Sequence, residues 1–248
     1  MQQGTQQGVL SYAVDLVMCI DGTGSMAGMI DEVKKKALGF WTKFYDAMIA
    51  EHKSIRDDWF RVKVIVFRDY KDDGESAMEE SEFFKLSTPE GVDAFNEYIR
   101  NIEPHGGGDD PENALEAIFT AIKSDWVRQY GRFRRHAILL FTDAAALSPQ
   151  DKERLSAPNY PYDMPRTRDE LAGIFENGDG GQSRSYGNYS ADNGRLIVYA
   201  PKNCGWEWLN TIDRAWWVPV DAKGGCSEVM IEEALKVLTH SLAASSLQ

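Results

Sequence analysis

Apolar positions along the chain fall into short unbroken runs and longer stripes of helical period. Residues 15–20 carry the run LVMCI, the mark of a central parallel strand covered on both faces. From Ile30 the pattern changes: Ile30, Val33, Ala37, Phe40, Trp41, Phe44 and Met48 recur every three or four residues and predict one long helix with a single buried stripe. RVKVIVFRD (61–69) reads as a second strand and SEFFKL (81–86) as a short third at an edge, followed by a helix over 89–101. GGGDDPENALEAIFTAI opens another helix near 111. HAILLFTD (136–143), RLIVYAP (195–201) and AWWVPVD (215–221) are three further strands. Pro219 cannot donate to a ladder, which puts the last of them at an edge. A closing helix spans about 227–242, with Ser227 as its N-cap and Ile231, Ala234, Leu235, Leu238 and Leu242 on one face.

Strands alternating with helices predict an α/β domain with a mostly parallel sheet and helices on both faces. The expected domain is single, over residues 12–242, with 1–11 and 243–248 as flexible tails. One connection is long, at about 144–193, where about two to six residues on each side of a helix would be usual. Within it, Thr167-x-x-Glu170 is a capping box for a helix ending near Gly178, and GDGGQSRSYGNYSADNG is Gly- and Ser-rich. That helix should return the chain across the sheet, so that shortening 179–192 is tolerated.

Composition narrows the function. With 248 residues, 43% of them hydrophobic and 27% charged, the chain reads as soluble and globular. Its net charge of −12 disfavours a nucleic-acid binder, and RFRRH (132–136) reads as a solvated turn leading into a strand. Cys19, Cys204 and Cys226 form no CxxC pair, so neither a disulfide framework nor a zinc site is suggested. No apolar run approaches membrane-spanning length and the first residues lack a signal-peptide pattern, which predicts a cytoplasmic protein without membrane contact.

Candidate chemistry gathers at strand ends. Asp21, Asp69 and Asp143 each terminate a predicted strand, and Asp221 follows the last. In a parallel sheet they reach one edge, where open α/β folds place their ligands, and a bound cation would relieve their mutual repulsion. The turn Asp21-Gly22-Thr23-Gly24-Ser25 fits nucleotide sites poorly. A P-loop requires Gly-Lys-[Ser/Thr], and the nearest following lysine is Lys34. Gly22, Gly24 and Gly28 give G-x-G-x-x-x-G, one residue too long for a dinucleotide fingerprint. A haloacid dehalogenase-type phosphatase would carry a second Asp where Thr23 stands. A metal fits better, since alternate oxygens of Asp-x-Thr-x-Ser face one point and suit a hard cation such as Mg²⁺.

Asp21-x-Thr23-x-Ser25 after an apolar strand resembles the first motif of the von Willebrand factor A domain, whose metal-ion-dependent adhesion site uses D-x-S-x-S. Asp143 in LLFTDA matches the third motif. The second motif, usually a Thr in a Gly-containing loop, is replaced by GGGDDPE (106–112). That loop resembles the D-x-P-E loop of integrin β subunits and the GGGD of intracellular bacterial and α-kinase-linked members. The second-motif ligand is one among Asp109, Asp110 and Glu112. The resemblance spans about residues 12–242. It implies a Rossmann-like, doubly wound six-stranded sheet of order 3-2-1-4-5-6 with a short antiparallel third strand.

Without a metal, Asp110 as N-cap, Pro111 at N1 and Glu112 in the first turn would simply start a helix. Asp69 reads as steadying a loop through Arg68 or Tyr70, the tryptophans of CGWEWLN and AWWVPV as packing, and Lys34-Lys35-Lys36 as a solvated face. The resemblance implies a non-catalytic, Mg²⁺-dependent protein-binding module, with Mn²⁺ or Ca²⁺ as alternative ions, in which a partner's Asp or Glu completes the coordination. That partner would be a kinase, an AAA+ ATPase or a defence-system component. The alternatives are a metal-dependent hydrolase acting on phosphoesters and a scaffold with a structural ion. Partner choice is expected in the loop at 144–165, with Asn159, Tyr160 and Tyr162 as contacts.

Overall fold

The computed structural model describes residues 10–50, 53–108, 111–149, 151–178 and 188–220. Asp221 and the predicted closing helix lie outside them. Strands β1 (Leu10–Asp21), β2 (Lys53–Phe67), β5 (Arg134–Phe141), β6 (Gly194–Pro201) and β7 (Ala215–Val220) run parallel. The expected third strand is two fragments, β3 (Met78–Glu80) and β4 (Phe84–Lys85), both antiparallel to β2. The sheet order is β3-β2-β1-β5-β6-β7, with β4 also on β2, which is the expected order with one strand divided. Among the described strands β7, with Pro219, is at the edge.

Strand alternation divides the core into two layers. Leu16, Met18 and Ile20 point to one face with Ile30, Phe44 and Met48 of α1 (Ala27–Ala50) and Phe95 and Ile99 of α2 (Pro89–Arg100). Val17 and Cys19 point to the other, where α3 (Ala114–Ile122) and Leu171, Ile174 and Phe175 of α4 (Arg168–Asn177) pack. The side chains of Val33, Ala37, Phe40 and Trp41 fall outside the described ones. Cys19 is a buried hydrophobe, its thiol pKa driven up by desolvation and its Sγ 3.7 Å from the Ala117 carbonyl. β1 and β2 start earlier than their apolar runs suggest, at Leu10 and Lys53.

The capping box forms in part. The Thr167 hydroxyl accepts from the Glu170 amide at 3.1 Å, while Glu170 Oε2 accepts from the Arg166 amide at 2.7 Å. The start of α3 differs from expectation. Its N-cap is Asn113, and Glu112 sits before the helix in a parallel bridge with Ala146. Glu112 N donates to Ala145 O and Glu112 O accepts from Leu147 N, both at 3.1 Å, and from Ala114 N at 2.9 Å, so its backbone bridges the segment after β5 to the start of α3 and stands outside the helix.

At the N-terminal edge of the sheet, Asp15 is fully buried and accepts from Arg61 Nη2 at 2.6 Å, Trp59 Nε1 at 3.2 Å and Val127 N at 2.7 Å. Arg135 of the RFRRH turn is buried there too, over the Tyr12 ring at 4.5 Å. Asn188 bonds Asp125, and the Ser190 amide donates to His136 Nδ1. α4 therefore returns the chain to the edge opposite Asp21, as the topology argument required. Tyr189 packs on the core beside Trp126 and Phe175, so residue 188 begins a packed segment that a tolerated shortening must spare.

Candidate metal-binding site

Pairing registers bring the first and third motifs together. Asp21 is the last residue of β1, opposite Phe67, and Ile20 is opposite Phe141, so Thr142 and Asp143 leave β5 beside Asp21. The Asp21 carboxylate is fully buried. Its Oδ1 accepts from Thr23 N at 3.0 Å and from Thr23 Oγ1 at 2.7 Å, and its Oδ2 accepts from Thr142 Oγ1 at 2.6 Å. Desolvation pushes the Asp21 pKa up to about 6, against the lowering effect of the Thr142 and Thr23 hydrogen bonds, and the nearby Asp143 charge adds to the rise.

The oxygens continue outward. Thr23 Oγ1 lies 3.1 Å from Ser25 Oγ, which donates to Asp143 Oδ1 at 3.1 Å. Thr23 is buried, Asp143 half-buried and Ser25 exposed, so the row runs from the core to solvent. Gly22 lets the turn sit flat, because a Cβ there would come within 2.5 Å of Val66 Cγ1.

The glycine loop closes the third side. Gly24 N donates to Gly106 O at 3.2 Å and His105 N to Gly22 O at 3.0 Å. Gly107 has φ +74, and a Cβ on it would meet Thr23 Cγ2 at 2.7 Å and Glu112 Oε1 at 2.9 Å. The glycine therefore brings Glu112, which is buried, up to Thr23. Asp73 Oδ2 holds the loop, accepting from Gly107 N and from Asp69 N at 3.1 Å each. Asp109 and Asp110 lie outside the described residues. Asp21, Thr23, Ser25 and Asp143 thus form one hydrogen-bonded row, and Glu112 lies across Gly107 from the methyl side of Thr23.

Asp69 and His105 stand apart from this row. Asp69, fully buried, is paired with Arg154 from the long connection, with Nε at 3.0 Å from Oδ1 and a further contact from Nη2 to Oδ2. Arg68, proposed as its partner, instead bonds Glu79 and the carbonyls of Gly22 and Ser76. His105 is exposed, with Nδ1 donating to Glu103 O at 2.9 Å.

The candidate partner contacts spread down the outside of α3. Asn159 Nδ2 donates to Gly74 O at 2.9 Å, and Tyr160 OH donates to buried Glu116 at 2.7 Å with its ring 5.2 Å from Tyr70. Tyr162 is 95% exposed, beside Lys123 at the far end of α3. A nine-residue helix is about 13 Å long, so Tyr162 is displaced by roughly that length from the end of α3 that abuts the metal loops.

Residues without a role in the sequence reading also shape the site. Thr142 bonds Asp21, Asp73 holds the glycine loop, and Asn113 Oδ1 accepts from Tyr70 N at 2.9 Å. Trp206, expected as packing, is buried and its Nε1 donates to Ala144 O at 3.1 Å. Only Thr142 carried a local signal, by standing next to Asp143.

The donor set suits a hard cation. Ligands of an octahedral ion at about 2.1 Å are about 3.0 Å apart, close to the 3.1 Å separations of Thr23, Ser25 and Asp143 oxygens. Among the described residues, no group of three or more His, Cys, Asp or Glu side chains is arranged to hold a metal. The row here joins two carboxylates, Asp21 and Asp143, through the hydroxyls of Thr23 and Ser25.

A family model described as the von Willebrand factor A domain matches residues 78–158, which contain the glycine loop and Asp143 but not Asp21–Ser25. No curated protein matches the chain in sequence. In fold it is similar to the pilus adhesin SpaC from Lactobacillus rhamnosus GG in its open conformation, at TM-score 0.52 and 14% identity over 96% of this chain. A second structure of that adhesin gives 0.51 and 13% over 96% of this chain and 31% of the adhesin. Proximal thread matrix protein 1 from the mussel byssus gives 0.49 and 10%, over 95% of this chain and 49% of that one. The chain spans 30% of the length of the open-conformation adhesin chain. The von Willebrand factor A model is thus matched over residues 78–158, and the fold of the adhesin over nearly the whole chain.

Proposed function

We propose that this chain is a Mg²⁺-dependent protein-binding module whose ion is held by Asp21, Thr23, Ser25, Glu112 and Asp143. The observation that carries the reading is the row of oxygens from buried Asp21 through Thr23 and exposed Ser25 to Asp143, spaced at 2.7, 3.1 and 3.1 Å. Hydroxyl ligands in a compact site favour Mg²⁺, or an ion of its size, over calcium, which takes more oxygens at about 2.3–2.6 Å. Thr23 and Ser25 bring no charge, so an ion that touches only one carboxylate directly, with the others acting through hydrogen bonds or water, stays electrophilic and gains from an acidic oxygen supplied by another protein. The solvent side, at Ser25, Gly24 and Gly106, is where that Asp or Glu would arrive.

Within the site, Asp21 supplies buried charge, Thr23 and Ser25 supply hydroxyl oxygens, and the Gly106–Gly108 backbone allows Glu112 to approach. The similar fold belongs to a pilus adhesin, which supports binding as the activity. The loop contacts at Asn159 and Tyr162 then serve as a second point of recognition on the side of the domain. Isothermal titration calorimetry tests the reading. Mg²⁺ should be taken up by the wild type and not by Asp21→Ala, and partner capture should be lost in EDTA. A wild type that takes up no divalent cation overturns it. Phosphoester turnover with Mg²⁺ or Mn²⁺ that disappears in Asp21→Ala would replace it with hydrolysis.

A further inference from the structure

We propose that Thr142 is a positioning residue that holds Asp21 and the Asp143 loop in one arrangement, and that the metal affinity of the site depends on its hydroxyl. The inference rests on the metal reading above. Thr142 is buried, with its amide fixed to Tyr199 O on the neighbouring strand at 3.1 Å. Its hydroxyl proton goes to Asp21 Oδ2 at 2.6 Å, and its oxygen accepts from Ala144 N at 3.0 Å. One hydroxyl therefore ties the carboxylate ending β1 to the backbone on the far side of Asp143. It also occupies the carboxylate oxygen that Thr23 leaves untouched, since both Thr23 donors go to Oδ1. With Oδ2 held, Asp21 cannot rotate, and Oδ1 stays aligned with Thr23 and Ser25.

A residue with this role is not a ligand, so its removal should weaken the site without abolishing it. Thr142→Val keeps the shape and deletes the hydroxyl, and should lower Mg²⁺ affinity about 10–100-fold, whereas Thr142→Ser should stay near the wild type. Ile138→Val, a core change in the same strand, controls for lost stability and should leave affinity unchanged. A metal-free readout is amide hydrogen exchange by NMR. Exchange at Ala144 and Thr23 should speed up in Thr142→Val and remain slow in Thr142→Ser.

Calorimetry separates the two ways of failing. A wild type without Mg²⁺ uptake removes the metal reading and this inference together. A wild type that binds Mg²⁺, with Thr142→Val binding equally well, overturns the positioning role alone. Equal loss of affinity in Thr142→Ser and Thr142→Val also overturns it, because the serine retains the hydroxyl.

Discussion

Removing Asp69 should unlock the long connection that follows the candidate site. Asp69 is 0% exposed and Arg154 5%, and the guanidinium meets both carboxylate oxygens, at 3.0 Å and 3.2 Å from Nε with a further contact from Nη2. Asp69 Oδ1 also accepts from Lys71 N at 2.6 Å, so the pair is desolvated and its acceptors are well occupied. An exposed pair would contribute about 0–1 kcal/mol. Deleting one member of a buried pair leaves the other charge uncompensated, at about 3–5 kcal/mol. Relief is available from Asp151 at 3.4 Å and Glu153 at 3.6 Å, which are 34% and 62% exposed. Their partial compensation puts the expected loss for Asp69→Ala near the lower end, at about 3 kcal/mol. Urea unfolding followed by tryptophan fluorescence measures it, with an unchanged m-value as the check that only stability has moved. Arg154→Met should lose a similar amount, and the double variant should lose less than the sum of the singles, because no charge is then left stranded. Limited proteolysis should cut the Asp69→Ala protein first within 148–163. A loss below about 1 kcal/mol, or strict additivity in the cycle, would refute the view that this ion pair pins the loop.

Other expected outcomes follow from single contacts. His136 Nε2 donates to Val127 O at 3.0 Å and its Nδ1 accepts from Ser190 N at 3.1 Å, so a second ring proton has no place, and burial lowers its pKa to about 3. The unfolded histidine takes up its proton from about pH 6.5 downward, so stability should fall as pH drops through that range, by about 2 kcal/mol from this group at pH 5. Asp21 and Glu116, whose pKa values are raised by burial, act in the opposite sense. The His136 effect is therefore read as the difference in pH slope between wild type and His136→Gln, and equal slopes would contradict it. Gly107→Ala forces a Cβ onto Thr23 and Glu112 at a positive φ; calorimetry should show Mg²⁺ uptake sharply reduced, and normal uptake would show the loop free to yield. Tyr160→Phe removes the donor to buried Glu116 and should lower stability by about 1–3 kcal/mol in urea unfolding.

The resemblance of Asp21-x-Thr23-x-Ser25 to a known motif concerned residues close in sequence, where a turn of five residues fixes which oxygens are neighbours. The strands and helices were legible for the same reason: periods of two and of three to four are properties of consecutive residues. The start of α3 was not, because Glu112 is drawn out of the helix by Ala145 and Leu147, more than thirty residues later. The partner of Asp69 was misjudged on the same grounds. Arg68 was adjacent in sequence, but alternation on the strand sends it toward Gly22 and Glu79, and the matching charge arrives from Arg154.

By itself, then, the sequence determined the alternating α/β pattern, the carboxylates at strand ends and the hydroxyls that follow the first of them. The tertiary structure decided which oxygens share one space, that Thr142 is the hydroxyl joining two strands, and that Tyr162 sits well away from Ser25 while Glu112 comes up to Thr23. The physical reason is that local preference acts through a few bonds of backbone. Hydrogen bonds such as Thr142 to Asp21, 121 residues apart, exist only once parallel registers have set those strand ends side by side.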